Sequence, residues 1–272
     1  MTGTKIIFVI KKIGQMLNLE NFDIKLNTDF IGRNFIYFEE IDSTNSYLLN
    51  KNNNIDISGT VVFAEFQTKG RGRLDRVWTS DTGQNLTFSI LFVKNQNLFQ
   101  NLNFLNFSAA LAVSTSIENL YQLKTDLKWP NDVLLSRKKT CGILIETTSN
   151  KGVIDRVVLG IGINVNQNYF KGEYNYPPTS IRIELGKEVE RERLLAEVLN
   201  NLEYYLIKLK TDKHQIINDW KMKCKMIGEK ISIRQKDDIK FGIFDDIDEN
   251  GFLLLKTKAG IEKITAGDLI IQ

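Results

Sequence analysis

The stretch Gly70-Arg71-Gly72-Arg73-Leu74-Asp75-Arg76-Val77-Trp78 interleaves arginine with glycine. Glycine lets a backbone approach a ligand closely. Arginine stays charged and grips carboxylate or phosphate through paired N–H groups. Such a loop suits an anion, although on pattern alone it equally suits a solvated basic turn or an RNA contact. In Lys128-Trp129-Pro130-Asn131-Asp132, Lys128 can neutralise phosphate and Asp132 can ligate Mg²⁺. Proline there implies a sheet edge or a bulge that re-aims Asn131 and Asp132. Pro-Asn-Asp is also good turn chemistry. Lys139-Thr140-Cys141-Gly142-Ile143-Leu144-Ile145-Glu146 opens a strand with a lysine and marks a close backbone approach at Gly142. A lysine in that position is by itself ordinary, and Cys141 reads as core rather than nucleophile. Gly160-Ile161-Gly162-Ile163-Asn164-Val165-Asn166 lacks the third glycine and following helix of a dinucleotide loop. Two glycines inside an otherwise good strand cost stability, which predicts a ligand packed against that backbone. Asn164 would then aim a carbonyl at a metal or phosphate.

Composition narrows the chemistry these residues can do. The chain has 272 residues and a single histidine, His214. A Ser-His-Asp triad needs a positioned histidine base, and zinc enzymes usually need several His or Cys ligands. Cys141 and Cys224 form no C-x-x-C pair, so a zinc or disulfide framework is excluded. The remaining palette is Lys, Arg, Asp, Asn and backbone amides. It suits phosphoryl and adenylyl transfer, where positioning and charge neutralisation dominate. A net charge of +3 is too weak to argue for nucleic acid. No apolar run approaches the ~18 residues of a membrane span. The short run from Ile6 to Ile10 precedes its lysines instead of following them, which is the wrong order for an export signal. Two scattered cysteines fit a reducing cytoplasm.

The elements that must position these residues follow from pattern. Residues 5–17 read as an amphipathic helix and 18–34 as polar and irregular. A strand over 35–41 precedes Asp42-Ser43-Thr44, which offers N-cap groups for a helix to about Leu49. Residues 60–67 are rich in β-branched and aromatic side chains, and 85–92 alternate with period two. Residues 104–121 carry helical spacing. Strands are predicted over about 127–135, 140–148 and 153–165, joined by short polar turns that favour antiparallel pairing. Helices follow over 190–211 and 213–226. From about Lys230, four or five short strands suggest a small barrel, with Asn250-Gly251 as a hairpin turn. The fold class is α+β: a mixed or antiparallel sheet with flanking helices, then a small β module.

Taken together and in this order, the four motifs and Asp42-Ser43-Thr44-Asn45 resemble the biotin–protein ligase family. Its sequences read G-R-G-R-x-G-R-x-W, K-W-P-N-D, K-x-x-G-I-L-x-E and G-x-G-x-N at comparable spacing. The resemblance implies a class II synthetase-like catalytic domain over 35–226, an SH3-like β-barrel over 227–272 and an N-terminal helical segment over 1–34. It implies ATP and Mg²⁺ as cofactors, biotin as substrate, and transfer to a biotin carboxyl carrier protein of a carboxylase or decarboxylase. Ser43, Thr44, Asn45 and Gln67 would hydrogen-bond the biotin rings. Gly70, Arg71, Gly72 and Arg73 would lie in a mobile loop that orders over biotin and the adenylate. Lys139, beside Gly142, would sit at the biotin carboxylate and act catalytically with Arg73. Arg76, Trp78 and Lys128 would hold ATP, and Asn131, Asp132 and Asn164 its phosphates or Mg²⁺. A sheet-mediated homodimer is open to such a chain, in the cytoplasm and away from membranes.

One residue departs from the pattern: the loop's second motif glycine is Asp75. Aspartate tolerates left-handed backbone geometry, but its carboxylate is placed to hold Arg73 and Arg76 off a ligand. Some members of the family carry an N-terminal winged helix and repress transcription. About 34 residues precede the catalytic match here. A three-helix DNA reader does not fit that length, so no DNA binding is expected. A lipoate–protein ligase shares the fold, but the Gly-Arg-Gly-Arg loop is of the biotin type. A non-catalytic carrier-binding relative, with Asp75 marking decay of the site, is the other alternative.

Overall fold

The computed structural model describes residues 5–9, 16–74, 76–174, 176–235 and 238–271. Among them, an eight-stranded mixed sheet forms the main body. Its strands are β1 (Lys5–Val9), β2 (Asn34–Ile41), β3 (Val61–Gln67), β4 (Leu86–Val93), β5 (Thr125–Lys128), β6 (Asp132–Leu135), β7 (Lys138–Asn150) and β8 (Val153–Ile163). Their order is β1-β2-β3-β4-β8-β7-β6-β5, with β1, β2 and β3 parallel and the remaining pairs antiparallel. The helices are α1 (Leu19–Lys25), α2 (Thr44–Leu49), α3 (Gln96–Phe99), α4 (Leu102–Tyr121), α5 (Ile181–Leu185), α6 (Arg191–Thr211) and α7 (Lys213–Lys223). A second, five-stranded antiparallel sheet contains β9 (Lys230–Gln235), β10 (Asp238–Ile247), β11 (Leu253–Thr257), β12 (Gly260–Ile264) and β13 (Asp268–Ile271), in the order β12-β11-β10-β9-β13. This is the SH3-like module.

Alternation along the strands sorts side chains between the two faces of the main sheet. Val61, Phe63 and Ile90 join the large core under the helices. Their neighbours Val62, Ala64 and Leu91 turn to the other face, against Leu48 of α2. On the helix side α4 is buried nearly all round, because it sits between the sheet and α6. On the opposite face α2 is the one helix that packs among the described residues, and the space beside it becomes the site.

Three expectations change. Lys5–Val9 is a strand paired parallel with β2, not part of a helix, and residues 10–15 lie outside those described. A five-residue apolar run rich in β-branched side chains does not declare its period, and the free edge of β2 supplies a complete ladder. Within 18–34, α1 forms because Asn18 caps it and Leu19, Phe22 and Leu26 recur on one buried face. The strand expected over 127–135 is two strands, β5 and β6, joined by a turn at Trp129-Pro130-Asn131. Pro130 has no N–H to continue a ladder, so the turn chemistry prevails at the edge of the sheet.

Candidate active site

The open face of the sheet is laid out by register. Lys128 pairs with Asp132, Asp132 with Gly142, Gly142 with Gly162 and Gly162 with Thr87. Cross-strand partners share a face, so a single row runs lysine, aspartate, glycine, glycine, threonine across five strands. The next row holds Leu144, Gly160 and Ser89. Lys139 would miss this face in a regular strand, because it stands an odd number of residues before Gly142. A bulge corrects that. Val133 pairs with Cys141 and Leu134 with Lys139, leaving Thr140 as the extra residue. The bulge brings Lys139 to the same side as Asp132 and Gly142.

At one end of the face lies a hydrogen-bond chain. The Thr44 amide and hydroxyl donate to Gln67 Oε1 at 2.7 and 2.9 Å. Thr44 and Ser89 share a hydroxyl contact of 2.6 Å, and Ser89 donates to Asn45 Oδ1. Asn45 Nδ2 donates to Glu146 Oε2 at 2.7 Å, and Arg71 pairs with the same carboxylate at 3.0 Å. Ser43 caps α2 and is buried beside them.

The other end is charged. Lys139 Nζ lies 2.6 Å from Asp132 Oδ1 and Lys128 Nζ 3.5 Å from Oδ2. The Lys139 contact is an ion pair whose angle is too sharp for a hydrogen bond, so Oδ1 has no aligned donor. Burial alone would raise the Asp132 carboxyl; the two ammonium groups outweigh it and hold it below the ordinary carboxylate value. Burial pulls the Lys128 ammonium down, opposed by Asp132. Burial likewise pulls down the Arg73 guanidinium, opposed by Asp268 and Asp132.

The arginine loop folds as a small hairpin. Arg71 bridges Val77, the Gly72 amide donates to the Arg76 carbonyl, and the Trp78 amide to that of Gly70. A Cβ on Gly70 would stand 2.3 Å from the Trp78 carbonyl oxygen, so this closure requires glycine. At the tip, Arg73 donates to Asn131 and to the Gly267 carbonyl, and both Arg73 and Arg76 pair with Asp268 of the second sheet. Asp75 lies outside the described residues. The carboxylate seen between the two arginines comes from β13.

A cavity of about 570 Å³ spans both ends and is lined by Ser43, Thr44, Asn45, Gln67, Arg71, Gly72, Arg73, Arg76, Trp78, Lys128, Asn131, Asp132, Lys139, Gly142 and Asn164. That is ample for a cofactor-sized ligand. Gly70 stands behind the wall rather than on it. The glycines at 160 and 162 admit close neighbours. A Cβ on Gly162 would stand 2.4 Å from Trp78 Cε2, and one on Gly160 2.4 Å from Asn45 Oδ1. Protein side chains press on that backbone, and both glycines line the cavity as well. The Trp78 indole lies over Gly162 and Gly142 with its Nε1 buried and unpartnered. Asn164 lines the same cavity. Its Nδ2 donates to the Thr179 and Lys139 carbonyls, and its main-chain carbonyl accepts from the Ile181 amide and Thr140 hydroxyl. It positions the segment carrying Lys139 while lining the cavity itself.

Further lining residues escaped the sequence. Thr87 and Ser89 alternate with the apolar side of β4, so the period itself held the clue. Phe170, Tyr174 and Tyr176 belong to an aromatic, Gly- and Pro-containing loop, a legible signal. Arg234 and Asp268 gave none, because only the docking of the second sheet brings them in.

The donor set does not fit a metal held by the protein alone. Asp132 already faces two ammonium groups, and among the described residues there is no cluster of three or more His, Cys, Asp or Glu suited to a metal. Cys141 and Cys224 are buried and free. Burial pushes the Cys141 thiol far up and that of Cys224 up to about 12. Neither thiol is therefore expected to react with iodoacetamide in the native protein at pH 8. Mass spectrometry of the intact treated protein checks this; rapid labelling of Cys141 would show an opening of β7.

Known proteins match this arrangement. The profile of the Biotin/lipoate A/B protein ligase family matches residues 37–164, and that of the Biotin protein ligase C terminal domain matches residues 226–271. The bifunctional ligase/repressor BirA of Bacillus subtilis is 34% identical over 264 residues, covering 96% of this chain and 81% of the relative. The biotin–[acetyl-CoA-carboxylase] ligase of Mycobacterium tuberculosis is 32% identical over 235 residues, covering 84% of this chain and 85% of the relative. The biotin protein ligase from Aquifex aeolicus, solved with biotin and ATP, superposes with a TM-score of 0.77 at 33% identity, covering 87% of this chain and 97% of that one. With its site geometry, both domain matches and these relatives in agreement, the chain belongs to the biotin protein ligase family.

Proposed function

We propose that the protein activates biotin with ATP to biotinyl-5'-AMP and transfers the biotinyl group to a lysine of a biotin carboxyl carrier protein. The observation that carries this reading is one cavity with hydrogen-bonding groups at one end and Lys128, Lys139 and Arg73 at the other. The biotin rings take the Thr44–Ser89–Asn45 end, with Ser43 and Gln67. The valerate carboxylate then points at Lys139. ATP enters as its Mg²⁺ complex, a substrate, with Arg73, Arg76 and Lys128 toward its phosphates, Asn131 beside Arg73 and Trp78 at the wall. A carboxylate oxygen bonds to the α-phosphorus as the bond to the β-phosphate oxygen breaks, and pyrophosphate leaves. Fixed cations already in place neutralise the charge that builds there without having to reorganise. The carrier amine next attacks the acyl carbon, AMP leaves, and the amine's proton passes to solvent. No enzyme-bound acyl intermediate is needed, which accords with the inert thiols. Among the described residues, no helix is long and apolar enough to cross a membrane. We place the enzyme in the cytoplasm, with its ATP and carboxylase substrates.

Incubation with biotin, ATP, Mg²⁺ and a carrier domain tests the proposal. A streptavidin-reactive carrier and stoichiometric pyrophosphate are expected. Transfer of lipoate in place of biotin would overturn the substrate, and carrier binding without transfer would overturn the activity.

A further inference from the structure

The outer face of the second sheet is apolar where it leaves the cavity. Ile239 pairs with Arg234 and Arg234 with Asp268; Phe241 pairs with Ser232 and Ser232 with Ile270. Ile243 pairs with Lys256 and Lys256 with Ile261. Partners share a face, so Ile239, Phe241, Ile243 and Ile261 lie on the side that carries Arg234, Asp268 and Ile270 into the cavity wall. The core side holds Ile231, Ile233, Leu253 and Leu255 instead. The four outer residues are exposed by 41, 61, 36 and 61% respectively. An apolar strip of this kind, crossed by Lys256 between Ile243 and Ile261, marks an interaction surface on a small module. Two strand spacings separate Phe241 from Ile270, about 10 Å, so the strip begins at the mouth of the site.

We infer that this strip, Ile239, Phe241, Ile243 and Ile261, docks the carrier domain while its lysine enters the cavity. The inference rests on the ligase reading. A carrier amine reaches an acyl-adenylate in this cavity only if the turn bearing it sits at the mouth, beside the strip. Lys230, Arg234 and Lys256 are exposed on the same face, so the partner offers an apolar patch with acidic neighbours. A second copy of this chain fits less well, because an isologous contact would oppose these cations with their own equivalents.

The test is the double variant Phe241→Ser/Ile261→Ser in the full chain. Biotinyl-adenylate formation without carrier, and its discharge to hydroxylamine, are expected at wild-type rates. The KM for a carrier domain is expected to rise about tenfold or more, with kcat within about twofold. An unchanged carrier KM would overturn the inference. So would a parallel loss of adenylate formation, which would make the strip a support of the cavity. A wild-type dimer dispersed by the variant with carrier KM unchanged would assign the face to a second copy. Absence of adenylate in the wild type itself would instead sink the ligase reading on which the inference stands.

Discussion

Lys139→Ala is expected to lower pyrophosphate release from biotin and ATP by about 10²–10³-fold while leaving the fold intact. Lys139 is brought to the cavity face by the Thr140 bulge and rests in the space that Gly142 leaves open, its Nζ 3.2 Å from where a Cβ would stand. Its partner Asp132 is held ionised below the ordinary carboxylate value, chiefly against the cost of burial. The stabilisation from that pair is therefore present above the unfolded value of about 4 and is lost only as the pH falls through the depressed one. The Asp132 carboxylate thus holds the Lys139 side chain in place at the cavity, so the charge it supplies needs no reorganisation. Truncation removes this charge from a side chain that is 27% exposed, so little packing is lost. Lys139→Arg is not expected to rescue, because a planar guanidinium does not reproduce the compact ammonium packed against Gly142 beside Asp132. A pyrophosphate-release assay with circular dichroism as the folding control decides the matter. Wild-type turnover by the alanine variant would remove Lys139 from the mechanism.

The second large effect is on stability, on the far side of the sheet. Glu65→Ala is expected to destabilise the protein by about 3–5 kcal/mol. The corresponding fall in Tm is about 10 °C. Glu65 on β3 has a side chain 3% exposed, paired at 2.6 Å with Arg191 at the start of α6, itself 6% exposed. A second Arg191 nitrogen reaches the other carboxylate oxygen at 3.2 Å. The same carboxylate accepts from the Leu17 amide at 2.8 Å and the Tyr37 hydroxyl at 3.1 Å. Burial, then the Glu65 charge, pushes the Tyr37 phenol well above its ordinary range, so it remains a donor. One side chain thus ties together two strands, a helix and the segment leading into α1. Removing it strands several desolvated groups at once, which is why the cost exceeds that of a surface pair. Glu65→Gln keeps the shape and one acceptor and should cost less. Thermal unfolding of the three proteins measures the effect. A shift of only a degree or two for the alanine variant would show that the network relaxes around the gap.

Much of the site was readable because its residues sit on regular elements. Ser43 declared itself as an N-cap, and the cap fixes where Thr44 and Asn45 point. The glycines at 142 and 162 broke otherwise good strands, and they do mark a close approach. What approaches Gly162 is Trp78 from another segment of the chain, and strand pattern carries no trace of that. The N-terminal run from Lys5 to Val9 was misread for a similar reason. Its composition admits either period, and pairing with β2 decides. Asn164 was given a ligand's role from its place after two glycines; it does line the cavity, and its side-chain NH2 group also ties it to the carbonyls of Thr179 and Lys139.

By itself, the sequence determined which chemistry was available. One histidine and two unactivated cysteines left lysine, arginine and aspartate, and their order along the chain pointed to a family. Local physics also determined most strands, the long helices and the turns, since period and cap are properties of neighbouring residues. Only the tertiary structure decided which charge meets which. Lys139 faces Asp132 because a bulge shifts the register by one residue, and Arg73 and Arg76 meet Asp268 because the second sheet closes on the loop. The partners of a charge are set by distance in space, and 192 residues of chain separate Arg76 from the carboxylate that holds it.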